Sequence, residues 1–255
     1  QKAEVFTSEE IFKGKNIPLP EGSLALIAFD GVLYGDVEEW MEYWFGLISG
    51  TRITRLIQSI HQNKDIKGAG IIFNSPGGDG WATTEIVNAL TVAQTTMPFV
   101  GLTTELSASA SQIIQSTVGY SIAANETTLL GSIGTYAVHY SNQGWYDRNG
   151  IKVTYITADE NIHKTDWDDS KPMSKTAFAA YKRRSNQHFE WIKEKVSANG
   201  KVDSQTYESD IYLAKQGIEL GLVDEIVTDG DGYNRLLEKL MEQTEEGNYN
   251  APPIS

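Results

Sequence analysis

Three short segments carry residue types that could do chemistry. The first is Asn74-Ser75-Pro76-Gly77-Gly78-Asp79, placed between the apolar run Gly68–Phe73 and a helical stretch. Adjacent glycines allow a sharp turn and let a ligand approach the backbone closely. Their N–H groups, next to a helix N-terminus, can hold developing negative charge. The same pattern also fits an ordinary strand-to-helix turn. It lacks the Gly-Lys-Ser/Thr ending of a phosphate loop. The second segment is Ser107-Ala108-Ser109-Ala110-Ser111. A serine among small residues at a helix start can present its oxygen to a substrate without hindrance. Taken alone, the segment fits a close-packed helix of small residues better, and it is not a Gly-x-Ser-x-Gly elbow. The third is His163-Lys164-Thr165-Asp166. A lysine acts as a general base only when unprotonated, which takes dry surroundings. A lone loop lysine is ordinarily a solvated surface group. His61, His139, His163 and His188 are scattered without metal-ligand spacing, so no metal and no cofactor is expected.

The elements that must position these segments read as alternating strands and helices. Ser23–Phe29, Gly68–Phe73, Phe99–Leu102, Tyr120–Ala123 and Val153–Ile156 are short apolar runs suited to buried strands. Trp40–His61, Asp79–Ala93, Leu106–Gln115, Lys175–Ala198 and Arg235–Glu246 have helical character. This order predicts an α/β fold with a mostly parallel sheet. The chain has 255 residues, 40% apolar and 22% charged, which excludes disordered, collagenous and coiled-coil classes. Its net charge is −13, of which residues 201–255 supply −8 (4 bases against 12 acids). That balance opposes non-specific binding to nucleic acid or anionic lipid. There is no cysteine, so thiolate chemistry and disulfides are absent. Residues 1–10 are polar and acidic, and the longest uncharged run, 106–125, is too polar to span a membrane.

Taken together, the segments resemble peptidase family S49, which includes signal peptide peptidase A and phage prohead (capsid assembly) proteases on the ClpP/crotonase fold. The resemblance runs from about Leu24 to Val227. It rests on Ser75–Gly78 after an apolar strand, on Ser107–Ile114, and on Gly131-Ser132-Ile133-Gly134. Ile162–Asp166 and Gly221-Leu222-Val223-Asp224 complete it. The spacing of phage-type members puts the nucleophile at Ser109, with Ser111 in reserve. The spacing of bacterial signal peptide peptidases lands on Ala110, which would make the chain inactive.

The resemblance implies a serine endopeptidase using a Ser–Lys dyad. Ser109 attacks a peptide carbonyl, Lys164 takes its proton, and the N–H groups of Gly78 and Ala110 form the oxyanion hole, with Gly77 and Ser75 lining the substrate. The phage-like spacing favours a prohead or capsid-maturation protease in the host cytoplasm. The alternatives are a signal peptide peptidase A-like protease of the bacterial envelope with its anchor removed, and a catalytically inactive structural module of the same fold. A crotonase-like acyl-CoA enzyme is disfavoured, since that class usually relies on acidic catalytic residues. The expected partners are a polypeptide substrate, either scaffold protein or signal-peptide-like segments, and further copies of the chain. Trp40, Trp44 and Phe45 add to the second expectation, because they are a large apolar load for one chain to hide. The expected organisation is an N-terminal arm over 1–22, a peptidase domain over 23–230, and an acidic helix and tail over 231–255. In the last, Leu236, Leu237, Leu240 and Met241 form an apolar stripe for docking on the body or a neighbouring subunit.

Overall fold

The apolar run at Ser23 begins a strand longer than expected, β1 (Ser23–Tyr34). The run at Gly68 belongs to β3 (Ile66–Gly78), which carries the chain through the paired glycines. β4 (Phe99–Ala108) and β5 (Tyr120–Ala123) follow. The computed structural model describes residues 19–198 and 202–246. Most of the expected N-terminal arm and the tail 247–255 lie outside the described residues. With β2 (Leu47–Ser49) and β8 (Glu225–Ile226), the strands form a sheet in the order β2-β1-β3-β4-β5-β8. Every neighbouring pair along that path is parallel. Two short strands close the edge near the serine segment. β6 (Leu129–Gly131) runs parallel to β4, and β7 (Ile211–Leu213) runs antiparallel to β6.

Strand alternation decides what covers each face. Val100, Leu102 and Ile122 meet Leu236 and Leu240 of the last helix, α8 (Gly232–Glu246), in one buried cluster. Gly68 and Gly70 of β3 leave room there: a Cβ at either position would come within 3.0 Å of Leu240 or Leu236. On the other face Thr103 donates to Gln115 Oε1 at 2.6 Å, at the end of α4 (Ala110–Gln115). Phe29 and Phe73 lie in the core with ring centroids 5.5 Å apart. Because both faces are covered, the central strands read as apolar runs rather than as alternating ones. The result is an α/β architecture, a mostly parallel sheet with flanking helices.

Several elements differ from the expectation. The stretch Trp40–His61 is three elements: α1 (Glu39–Phe45), β2, and α2 (Gly50–Gln62). Gly46 stops α1 at φ 61°, a conformation that suits glycine, and β2 then pairs with β1. Ser49 caps α2 by accepting the Arg52 amide at 3.2 Å. α1 buries none of its residues, so Trp40, Trp44 and Phe45 are exposed. The helix expected from Leu106 begins only at Ala110, because residues 106–108 pair with β6 as the end of β4. Val153–Ile156 is not a strand. Its β-branched residues find no partner strand among the described residues, and pairing rather than propensity makes a strand.

The chain divides into two compact units. The first is Gln1–Gly134 with Ile192–Ser255, and the second is Thr135–Trp191. The sheet belongs to the first. The second holds α5 (Gln143–Arg148) and most of the long helix α6 (Lys175–Ser197). Its loops are tied by Tyr155, whose hydroxyl meets Asp168 and Ser170, and by Asn142, which donates to Asp169 at 2.7 Å. Trp167 packs on Tyr181 with centroids 4.3 Å apart. The Tyr155 hydroxyl and the Ser170 amide hold the Asp168 carboxyl down to about 2.

Candidate active site

Two turns of the first unit meet backbone to backbone. One is the end of β3 at Gly77 and Gly78. The other is Ser109, between β4 and α4. Gly77 has φ 96°, and a Cβ on it would lie 2.7 Å from both Ala108 O and Ala110 N, and 2.8 Å from Ser109 Cβ. Only glycine fits there, so the close approach is built into the sequence. A Cβ on Gly78 would meet Leu33 O at 2.0 Å, because that residue pairs with β1. Asp79 then caps α3 (Gly80–Ala93) by accepting the Ala82 amide at 2.7 Å.

Ser109 has φ 54° and ψ −122°, a strained conformation for a residue with a side chain. Such strain persists only where the surroundings enforce it. Here the Ser109 amide donates to Gly131 O at 2.9 Å, and its carbonyl accepts from Ile113. Ser109 stands at the N-cap of α4, where a serine usually folds its hydroxyl back onto the helix. It makes no such capping bond, so the hydroxyl is left for another task. Ala110, the first residue of α4, has an amide with no acceptor inside the helix.

The neighbouring serines are differently placed. Ser107 and Ser111 are fully buried, and their hydroxyls bond to each other at 2.9 Å. Ser109 is half-buried. Ser75 is also fully buried, and its Oγ accepts the Gly77 amide at 3.1 Å. It shapes the glycine turn from beneath. Ser75, Gly77, Gly78, Ser109 and Ala110 are thus brought together in the first unit. Lys164 belongs to the second unit. It is exposed, on a turn in which its amide donates to Asn161 O at 3.1 Å. His163 beside it faces Asp166, with Nδ1 2.8 Å from Oδ2.

The remaining shared segments explain themselves as supports. Gln112 of α4 donates to Leu222 O at 3.1 Å. Asp224 accepts the Ser121 amide at 2.8 Å. The Gly221–Asp224 segment therefore clamps both the serine helix and β5. Gly131–Gly134 sits between the Ser109 turn and a corner at Ser209 and Asp210. Neither corner residue stands out in the sequence, because their partners lie some 76 residues away.

The chain has relatives among known proteins. A protease of Methanocaldococcus jannaschii is 25% identical over 71% of this chain and 58% of its own length. Protease 4 of Haemophilus influenzae is 24% identical over 77% of this chain and 32% of its own. Capsid assembly protease C of Escherichia phage lambda is 20% identical over 85% of this chain and 49% of its own. The chain thus spans between a third and three-fifths of these relatives. The model of peptidase family S49 matches residues 92–244, from the end of α3 through the serine turn into α8. The chain belongs to peptidase family S49.

Proposed function

We propose that the chain is a serine endopeptidase in which Ser109 is the nucleophile and Lys164 the general base. Ser109 Oγ attacks the carbonyl carbon of a peptide bond as its proton passes to Lys164 Nζ. The N–H groups of Gly78 and Ala110 hold the oxyanion. Collapse breaks the C–N bond, Lys164 returns the proton to the leaving amine, and water then hydrolyses the acyl-enzyme. The observation that carries this reading is the strained turn at Ser109. It supports an accessible, uncapped hydroxyl beside two amides that can face an oxyanion. Donors of this kind are typically worth about 2.7–4 kcal/mol each in the transition state. The mutual bond of Ser107 and Ser111 argues for Ser109 over Ser111 as nucleophile.

A lysine base needs a dry environment, whereas Lys164 is exposed in the single chain. A bound polypeptide or a second copy of the chain must cover it. The exposed rings of α1 support a homo-oligomer: Tyr43 is 82% exposed and Trp44 72%. The substrate proposed is a polypeptide of an assembling phage prohead, in the host cytoplasm. Supporting this is the similarity to a phage capsid assembly protease, which takes in 85% of this chain. Among the described residues no helix is long and apolar enough to cross a membrane.

The test is cleavage of an unfolded polypeptide by the purified chain and two variants. Ser109→Ala and Lys164→Arg should each lose at least about a thousandfold in kcat while remaining folded. Arginine cannot serve as the base. Full activity in Lys164→Arg would remove the lysine from the mechanism.

A further inference from the structure

We infer that Ser209 is a positioning residue for Ser109, acting through the segment Gly131–Gly134; the inference rests on the reading of Ser109 as nucleophile. Among the described residues, three that are not glycine have φ in the left-handed region: Ser109 at 54°, Ser132 at 52° and Ser209 at 65°. They are far apart in sequence, yet they lie along one hydrogen-bonded path. The Ser109 amide donates to Gly131 O at 2.9 Å, and the Ser132 amide donates to Asp210 O at 2.6 Å. The Ser209 hydroxyl donates to Ile133 O at 2.7 Å. Strand pairing runs the same way: Ala108 is opposite Gly131, and Gly131 is opposite Ile211.

The path has a direction. The 209–210 corner grips residues 132 and 133 by an amide and a carbonyl. That fixes Gly131, and its carbonyl fixes the amide of Ser109. Attack by Ser109 Oγ tolerates little misplacement, since a shift of 1 Å at a reacting group can cost a hundredfold in rate. Two of the three bonds are made by backbone alone. The Ser209 hydroxyl is the one link made by a side chain, and so the one that substitution can delete. Ser209 is itself exposed, but its hydroxyl is committed to the carbonyl of the fully buried Ile133. Its hydroxyl faces a main-chain carbonyl, so the role inferred for it is positioning.

Two substitutions separate hydroxyl from backbone. Ser209→Ala removes the hydroxyl and keeps the left-handed strain. Ser209→Gly removes both. The readouts are the rate of phosphonylation of Ser109 by a fluorophosphonate, kcat and KM on a peptide, and Tm. We expect both variants to fall about tenfold in phosphonylation rate and in kcat, with KM within twofold of wild type, although only Ser209→Gly gains in Tm. Wild-type rates in both variants, whatever their Tm, would overturn the inference, as would a wild-type rate in Ser209→Gly alone. If the wild-type chain takes no label at Ser109, the nucleophile assignment fails first and the inference falls with it, a result distinct from equal labelling of all three proteins.

Discussion

At the residue scale, function and stability pull Ser109 in opposite directions. Its left-handed backbone is a cost that glycine would not bear. Ser109→Gly should therefore abolish hydrolysis while stabilising the fold by about 1 kcal/mol, a rise of about 2–4 °C in Tm for a chain of this size. A calorimetric scan checks it, and a fall in Tm would contradict the account of strain. Gly77→Ala should harm activity and stability alike. Its Cβ has no room against Ala108 and Ala110, so we expect a loss of about 1–3 kcal/mol together with activity. Gly77 and Gly78 were legible in the sequence because only glycine permits such a turn. The choice among Ser107, Ser109 and Ser111 was less so. Three serines alternate with alanine, and nothing local says where the strand ends. Pairing of Ala108 with Gly131 ends it, and that partner lies 23 positions further along the chain.

At the scale of elements, strands buried on both faces announced themselves as apolar runs, as Gly68–Phe73 did. Elements of three residues did not: β6 and β7 are too short for a periodic signal, and β6 exists because β4 offers it an edge, β7 because β6 does. The apolar stripe of α8 was visible but read too wide. Leu236 and Leu240 are fully buried, whereas Met241 is 52% exposed. Leu236→Ala should cost about 2–5 kcal/mol and Met241→Ala close to nothing, as measured by urea unfolding. The same helix is pinned to β8 and β5 by Arg235, whose Nε lies 2.7 Å from Glu225 Oε1, and by Tyr120, which donates to Glu225 Oε2 at 3.0 Å. The Arg235 guanidinium holds the Glu225 carboxyl below the usual carboxylate range, and burial followed by Glu225 pushes the Tyr120 phenol up to about 12. A lowered carboxyl stabilises the fold above its unfolded pKa, near 4.3, and loses that effect as pH falls through its folded value. A raised phenol stabilises it below about 10 and loses the effect as pH rises toward 12. Glu225→Gln should therefore flatten the acid limb of the stability profile, and Tyr120→Phe the alkaline limb between 10 and 12. Melts across pH that keep the wild-type slopes would contradict this assignment.

At the scale of the whole molecule, the sequence foretold a parallel α/β sheet from the alternation of strands and helices. It did not foretell the division into two units, since nothing in composition marks Gly134 or Ile192 as a boundary. The exposed rings of α1 support the proposed association of copies. Light scattering at micromolar concentration should find a species well above the 28.2 kDa of one chain. Trp44→Glu should shift it toward the monomer, and scattering by the wild-type chain at monomer mass would contradict the oligomer. The central claim remains that Ser109 does the chemistry, and covalent labelling tests it most directly. The intact chain is treated with a fluorophosphonate and digested, and the modified peptide is sequenced by mass spectrometry. The account predicts a single adduct on Ser109 that is lost in Ser109→Ala. An adduct on Ser111 or Ser107 in the wild-type chain, or none on residues 107–111, would contradict it.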